Sequence, residues 1–133
     1  MTLRPSVLVL SLALLVAIPA CGKDDGGSAA DCTTLKQGSS QTTRMTLTAK
    51  NLAFDKTCVR IKPGALTITF HNEDQGVSHN LHITGHGVNV TTDLEAGVTT
   101  QTLDAVLTDP GKYTYACDPH GGMEGTIEVV EAS

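Results

Sequence analysis

From residue 44 onward, apolar and polar side chains alternate in short runs. The runs are Met45-Leu47-Ala49, Cys58 to Lys62 with Val59 and Ile61 inward, Leu66-Ile68-Phe70, Asn80 to Thr84, Val98 to Leu103, Lys112 to Cys117 and Thr126 to Val130. A period of two puts alternate side chains on opposite faces, as in a strand with one buried face. Turn-forming residues separate the runs: Pro63-Gly64, Asn72 to Gly76, Gly85 to Gly87, Ala96-Gly97 and Asp109-Pro110-Gly111. No helical period is sustained outside the first 20 residues. Regular short strands between Gly and Pro turns predict an all-β chain folded as an antiparallel β-sandwich.

The N-terminus follows other rules. Arg4 precedes an almost wholly apolar run from Val7 to Ile18, which is too short to span a bilayer. Ile18-Pro19-Ala20-Cys21-Gly22 is similar to the cleavage box of a bacterial lipoprotein, in which Cys21 is lipidated and becomes the new N-terminus. Plain signal cleavage prefers small residues at both −3 and −1, and Ile18 fits that poorly. Residues 1–20 are therefore expected to be a lipoprotein signal peptide. Residues 21–43, rich in Gly, Ser, Thr, Asp and Lys, are expected to be the lipidated Cys and a flexible tether, and residues 44–133 the folded domain. Ten residues of such a tether reach about 17 Å. The expected location is extracytoplasmic, on a bacterial membrane.

Composition narrows the core and the partners. Only Phe54, Phe70, Tyr113 and Tyr115 are aromatic, so the core rests on Val, Ile and Leu. Without Arg4, 8 basic and 14 acidic side chains leave a net charge of −6 with neutral His. An acidic surface repels nucleic acid. The charges are scattered and define no docking patch, and the domain is expected to be a monomer.

The chemistry concentrates in Cys117-Asp118-Pro119-His120-Gly121-Gly122-Met123, a C-x2-H-x2-M motif on a tight loop between two expected strands. Upstream, Ser78-His79-Asn80-Leu81 offers a second imidazole. One Cys, two His and a distant Met form the ligand set of a mononuclear blue-copper site. Soft sulfur suits Cu(I), and imidazole suits both oxidation states. A structural zinc site wants four strong ligands. A binuclear copper site would want a second Cys in the loop. A catalytic Cys-His pair lacks an orienting acid or an oxyanion partner. Zinc and a metal-free packed loop remain as lesser readings.

On these residues the sequence resembles the cupredoxins, the small blue copper proteins that include plastocyanin, pseudoazurin and amicyanin. The likeness spans roughly residues 44–130. It includes the short ligand loop, the run His79-Asn80-Leu81-His82, the stretch from Phe54 to Gly64 and the strand Leu66 to Phe70. It implies a Greek-key sandwich, with His79, Cys117 and His120 as equatorial copper ligands and Met123 as a long axial one. It also implies that the Asn80 side chain hydrogen-bonds across to the ligand loop and that His120 is the electron port. Pro119 has no N–H to donate to the Cys117 sulfur, which should lower the reduction potential. Gly121-Gly122 replaces bulkier residues beside the ligand and thins the apolar rim. Ala116 stands where plastocyanin has an exposed Tyr, which argues against that docking mode.

The remaining features follow. With Cys21 a lipid site and Cys117 a ligand, Cys32 and Cys58 remain, and an exported domain favours their pairing over two unpaired thiols. His71, His82 and His86 read as solvated, and Met45 as core. The expected function is carriage of single electrons between redox proteins, with one copper ion as cofactor, a lipid anchor in the membrane and no enzyme activity. The alternative is a copper-binding or delivery protein that buffers the metal. An enzyme would need a second copper centre, and no paired His-x-His motif supplies one.

Overall fold

A computed structural model describes residues 31–131. The signal segment, Cys21 and the first part of the tether lie outside the described residues. In chain order the strands are β1 (Thr33–Thr34), β2 (Thr42–Lys50), β3 (Ala53–Phe54), β4 (Cys58–Ile61), β5 (Gly64–Asn72) and β6 (Ser78–His79). They continue with β7 (His82–Gly85), β8 (Val88–Thr91), β9 (Glu95–Ala96), β10 (Thr99–Leu107), β11 (Gly111–Ala116) and β12 (Glu124–Val129). Among the described residues there is no helix.

The strands form two main sheets and a short ribbon. One sheet runs β1-β4-β12-β11-β7-β8, the other β10-β5-β2-β3, and β6 pairs with β9. The alternation read from the sequence supplies the core between them. Met45, Leu47 and Ala49 of β2 and Leu66, Ile68 and Phe70 of β5 are buried, facing Val59, Ile61, Tyr113, Tyr115, Ile127 and Val129 of the other sheet. Phe54 stacks edge-on against Phe70 and Tyr115, with ring centroids 6.2 and 5.4 Å apart. Gly125 lets Tyr115 lie flat against β12, because a Cβ there would run into the phenol ring. The sandwich is the expected all-β architecture, but its pairings are mixed. β1 with β4, β4 with β12 and β2 with β5 run parallel. Alternation identifies a strand and its buried face but carries no information on the direction of its neighbour.

Three elements go beyond the sequence reading. β10 runs on to Leu107, because Leu103, Ala105 and Leu107 point inward while Val106 is left exposed. That outward valine masks the alternation. β8 forms a hairpin with β7 around the expected Gly85-to-Gly87 turn. Pairing also begins before residue 44. Thr33 and Thr34 register with Val59 and Arg60, Leu35 N–H donates to the Arg60 carbonyl at 2.9 Å, and Cys32 is joined to Cys58 by a disulfide. The Gln37 amide donates to the Gln41 and Pro63 carbonyls at 2.8 and 3.0 Å. Main-chain hydrogen bonds and a covalent bridge attach this stretch more than apolar burial does, so its polar composition conceals it.

Candidate metal centre

The adjacent strands β11 and β12 are joined by residues 117–123, and this connection is pinned by its own backbone. Cys117 N–H donates to the Met123 carbonyl at 3.0 Å, His120 N–H to the Cys117 carbonyl at 3.2 Å, and Met123 N–H to the His120 carbonyl at 3.1 Å. Gly122 holds φ at +83°, a left-handed conformation that glycine adopts without steric cost. Cys117 and Met123 are buried, His120 is half-buried, and Asp118 and Pro119 are exposed.

His79 arrives from the β6 ribbon and is fully buried. Its Nδ1 lies 3.4 Å from the Cys117 sulfur, and His120 Nδ1 lies 3.4 Å from the same sulfur. The three candidate ligand atoms lie within 4.8 Å of one another, and the two imidazole rings are 4.7 Å apart. Two separated stretches of chain therefore aim a thiol and two ring nitrogens at one point. Burial pushes the Cys117 thiol above its usual pKa, and the Asn80 and His120 main-chain N–H groups partly offset that. A metal that displaces the proton relieves this penalty. The donor set of one sulfur and two imidazoles fits copper, and as three strong ligands it falls short of a four-ligand zinc site. A second grouping, Cys32, Cys58 and Glu128, has both sulfurs in the disulfide and is no metal site.

The surroundings hold these groups in place. Asn80 Oδ1 accepts from Asp118 N–H at 2.9 Å, while its Nδ2 donates to Asp118 Oδ2 at 2.6 Å and to Thr91 Oγ1 at 3.0 Å. It thus ties the His79 segment to the ligand loop and to β8. Asp74 Oδ2 lies 2.9 Å from His79 Nε2. The same carboxylate accepts from Leu52 N–H at 3.0 Å and Asn51 N–H at 2.6 Å, and these donors, then His79, hold its pKa at about 2.

His82 departs from the sequence reading. It is half-buried, with Nδ1 2.8 Å from Asp118 Oδ1 and Nε2 2.6 Å from Asn89 Oδ1. His71 Nδ1 meets Thr100 Oγ1 at 2.8 Å, and His86 lies against the Tyr113 ring at 4.8 Å. Asp74, Thr91 and Asp118 are the neighbours that sequence reasoning missed. Asp118 had a signal, since it lies inside the ligand motif. Asp74 had none, because Asp is ordinary in a turn such as Asn72 to Gly76.

The profile of the copper-binding proteins of the plastocyanin/azurin family matches residues 41–130. No curated protein sequence matches the chain. Among solved structures, the dithionite-reduced auracyanin of Roseiflexus castenholzii superposes with a TM-score of 0.59 at 21% identity, covering 65% of this chain and 96% of that one. Auracyanin A, a "blue" copper protein of Chloroflexus aurantiacus, gives 0.57 at 22% identity over 67% of this chain and 99% of that one. The reduced Cu(I) form of an amicyanin variant gives 0.52 at 20% identity over 65% and 82%. At these identities the likeness is one of fold. The family profile covers more than half of the chain and brackets the converging His79, Cys117 and His120 as well as the buried Met123, so this chain belongs to the plastocyanin/azurin family of copper-binding proteins, the cupredoxins, and its cofactor is copper.

Proposed function

We propose that this chain is an exported, lipid-anchored carrier of single electrons, with copper held by His79, Cys117 and His120 and, at longer range, by Met123. The observation that carries the reading is the convergence of His79 Nδ1 and His120 Nδ1 on the buried Cys117 sulfur, each at 3.4 Å. Copper bound there supplies a one-electron couple between Cu(I) and Cu(II). The chain's own contribution is rigidity. Asn80 locks the His79 segment to Asp118 beside Cys117, so the donors need to move little when the charge at the site changes. Burial of His79 and Cys117 keeps water from the inner side. His120 is half-buried and is the edge through which an electron would pass to a redox partner.

Anchoring rests on the sequence alone. Ile18-Pro19-Ala20-Cys21 supports cleavage before Cys21 and its lipidation, which would tether a monomeric domain outside the cytoplasmic membrane. The tether would let the domain swing between a donor and an acceptor in the same membrane. Buried ligands favour a carrier over a delivery protein, which must surrender its metal.

Adding Cu(II) to the purified protein should give an intense blue colour that ascorbate bleaches and an oxidant restores. Cys117→Ser should stay colourless. Rapid loss of Cu(I) to a mild chelator would favour delivery over carriage. In cells, the full chain should require detergent for extraction from membranes, and Cys21→Ser should release it.

A further inference from the structure

The two ring nitrogens of His79 face different partners. Nδ1 faces the Cys117 sulfur at 3.4 Å, and Nε2 faces Asp74 Oδ2 at 2.9 Å. Asp74 cannot simply follow the ring. Its oxygens are held by the Asn51 and Leu52 N–H groups, from a turn in which both residues adopt left-handed φ values of 54° and 59°. That turn joins β2 to β3 in the sheet opposite the ligand loop. An ionised carboxylate only accepts hydrogen bonds, so the proton between the two groups belongs to Nε2 of the imidazole. A neutral imidazole protonated at Nε2 presents a bare lone pair at Nδ1, the form a metal requires. His120 differs: no hydrogen bond engages its Nε2 among the described residues.

Resting on the copper reading above, we propose that Asp74 is a positioning residue for the copper site. Its carboxylate holds His79 as the Nε2–H tautomer with Nδ1 aimed at the sulfur before metal arrives. Its negative charge also favours the oxidised state of the loaded site. No ligand motif in the sequence points to this residue, and it meets the site only through the His79 nitrogen that faces away from Cys117.

The first test uses the metal-free, unaltered protein. Correlation NMR of the 15N-labelled imidazoles at mildly alkaline pH should show His79 protonated at Nε2 and bare at Nδ1. The second compares reduction potentials of copper-loaded protein, with thermal melting as the check on folding. Asp74→Asn keeps the shape and removes the charge, and should shift the one-electron equilibrium toward Cu(I) about tenfold, or 59 mV. Asp74→Glu, which restores the charge, should recover most of that shift. An Nδ1–H tautomer in the unaltered protein overturns the proposal, as does an unmoved potential in a folded, copper-loaded Asp74→Asn protein. Should Asp74→Asn fail to fold or load copper, the tautomer alone decides. An unaltered protein that never turns blue sinks the copper reading and this proposal with it. One that turns blue but carries the Nδ1–H tautomer sinks this proposal only.

Discussion

At the residue scale, two positions in the ligand loop make opposite demands on the backbone. Pro119 withholds a donor. The Asn80 and His120 main-chain N–H groups already act on the Cys117 thiol, and residue 119 lies between Cys117 and His120 without an N–H to add. Pro119→Ala supplies one. Each further donor stabilises the thiolate and weakens its donation to the metal, so the potential should rise, by about 60 mV if the equilibrium moves tenfold. Voltammetry that finds an unchanged or lower value rejects this. Gly122 makes a conformational demand instead. Neither Gly121 nor Gly122 has a neighbour that an added Cβ would touch, so crowding cannot separate them. Only Gly122 has a positive φ, +83°. Gly122→Ala should therefore cost about 1 kcal/mol, while Gly121→Ala should be close to neutral in chemical denaturation. Equal effects would mean the loop relaxes freely around either residue.

At the element scale, His82 joins three pieces of chain: its own strand β7, Asn89 of β8, and Asp118 of the ligand loop. The Asp118 and then the Asn89 hydrogen bonds raise its pKa above 6.5. A raised pKa in the folded state means stability that is fully present below pH 6.5 and lost as pH climbs through the raised value. Asp118 is shifted the other way, its pKa lowered below 3.8 chiefly by His82 and then Asn80. Its contribution is present above pH 3.8 and lost as pH falls through the lowered value. In metal-free protein, the melting-temperature advantage of the unaltered chain over His82→Gln should be larger at pH 5.5 than at pH 9. An advantage that does not change with pH removes His82 from this role. The same residue shows what the sequence conceals. Period two correctly sets His82 opposite the buried Leu81, and that predicts solvent on its side. Whether solvent or Asp118 waits there depends on which strand lies next to β7, and that pairing is long-range. The candidate motif, whose Cys117 and His120 the structure brings to His79, stands out in the sequence for the converse reason. Cys117, His120 and Met123 sit within seven residues, and soft donors are too rare to cluster by accident. Asp74 acts through N–H groups 22 and 23 residues away, which no local pattern reveals.

At the scale of the whole molecule, the question is how residues 31–36 stay on the sandwich. β1 contributes two exposed threonines paired with β4, and Leu35 adds one main-chain hydrogen bond and partial packing. Two paired residues and one half-buried leucine cannot offset the backbone entropy of ordering the segment, at about 1–2 kcal/mol per residue. The disulfide between Cys32 and Cys58, 26 residues apart, therefore has to hold it there. By chain entropy, closing such a loop is worth about 3.5 kcal/mol. Replacing both cysteines by Ala avoids leaving a thiol that an oxidant could join to Cys117. The double variant should lose stability of that order in denaturant titration. It should also lose amide-exchange protection at Leu35, whose N–H donates to Arg60, while Val59 and Ile127 at the centre of the same sheet stay protected. The copper colour should persist, because the donors converge through β6 and the β11–β12 loop, neither of which carries the bridge. If Leu35 stays protected without the bridge, pairing with β4 suffices alone, and the covalent link serves only to keep free thiols away from Cys117.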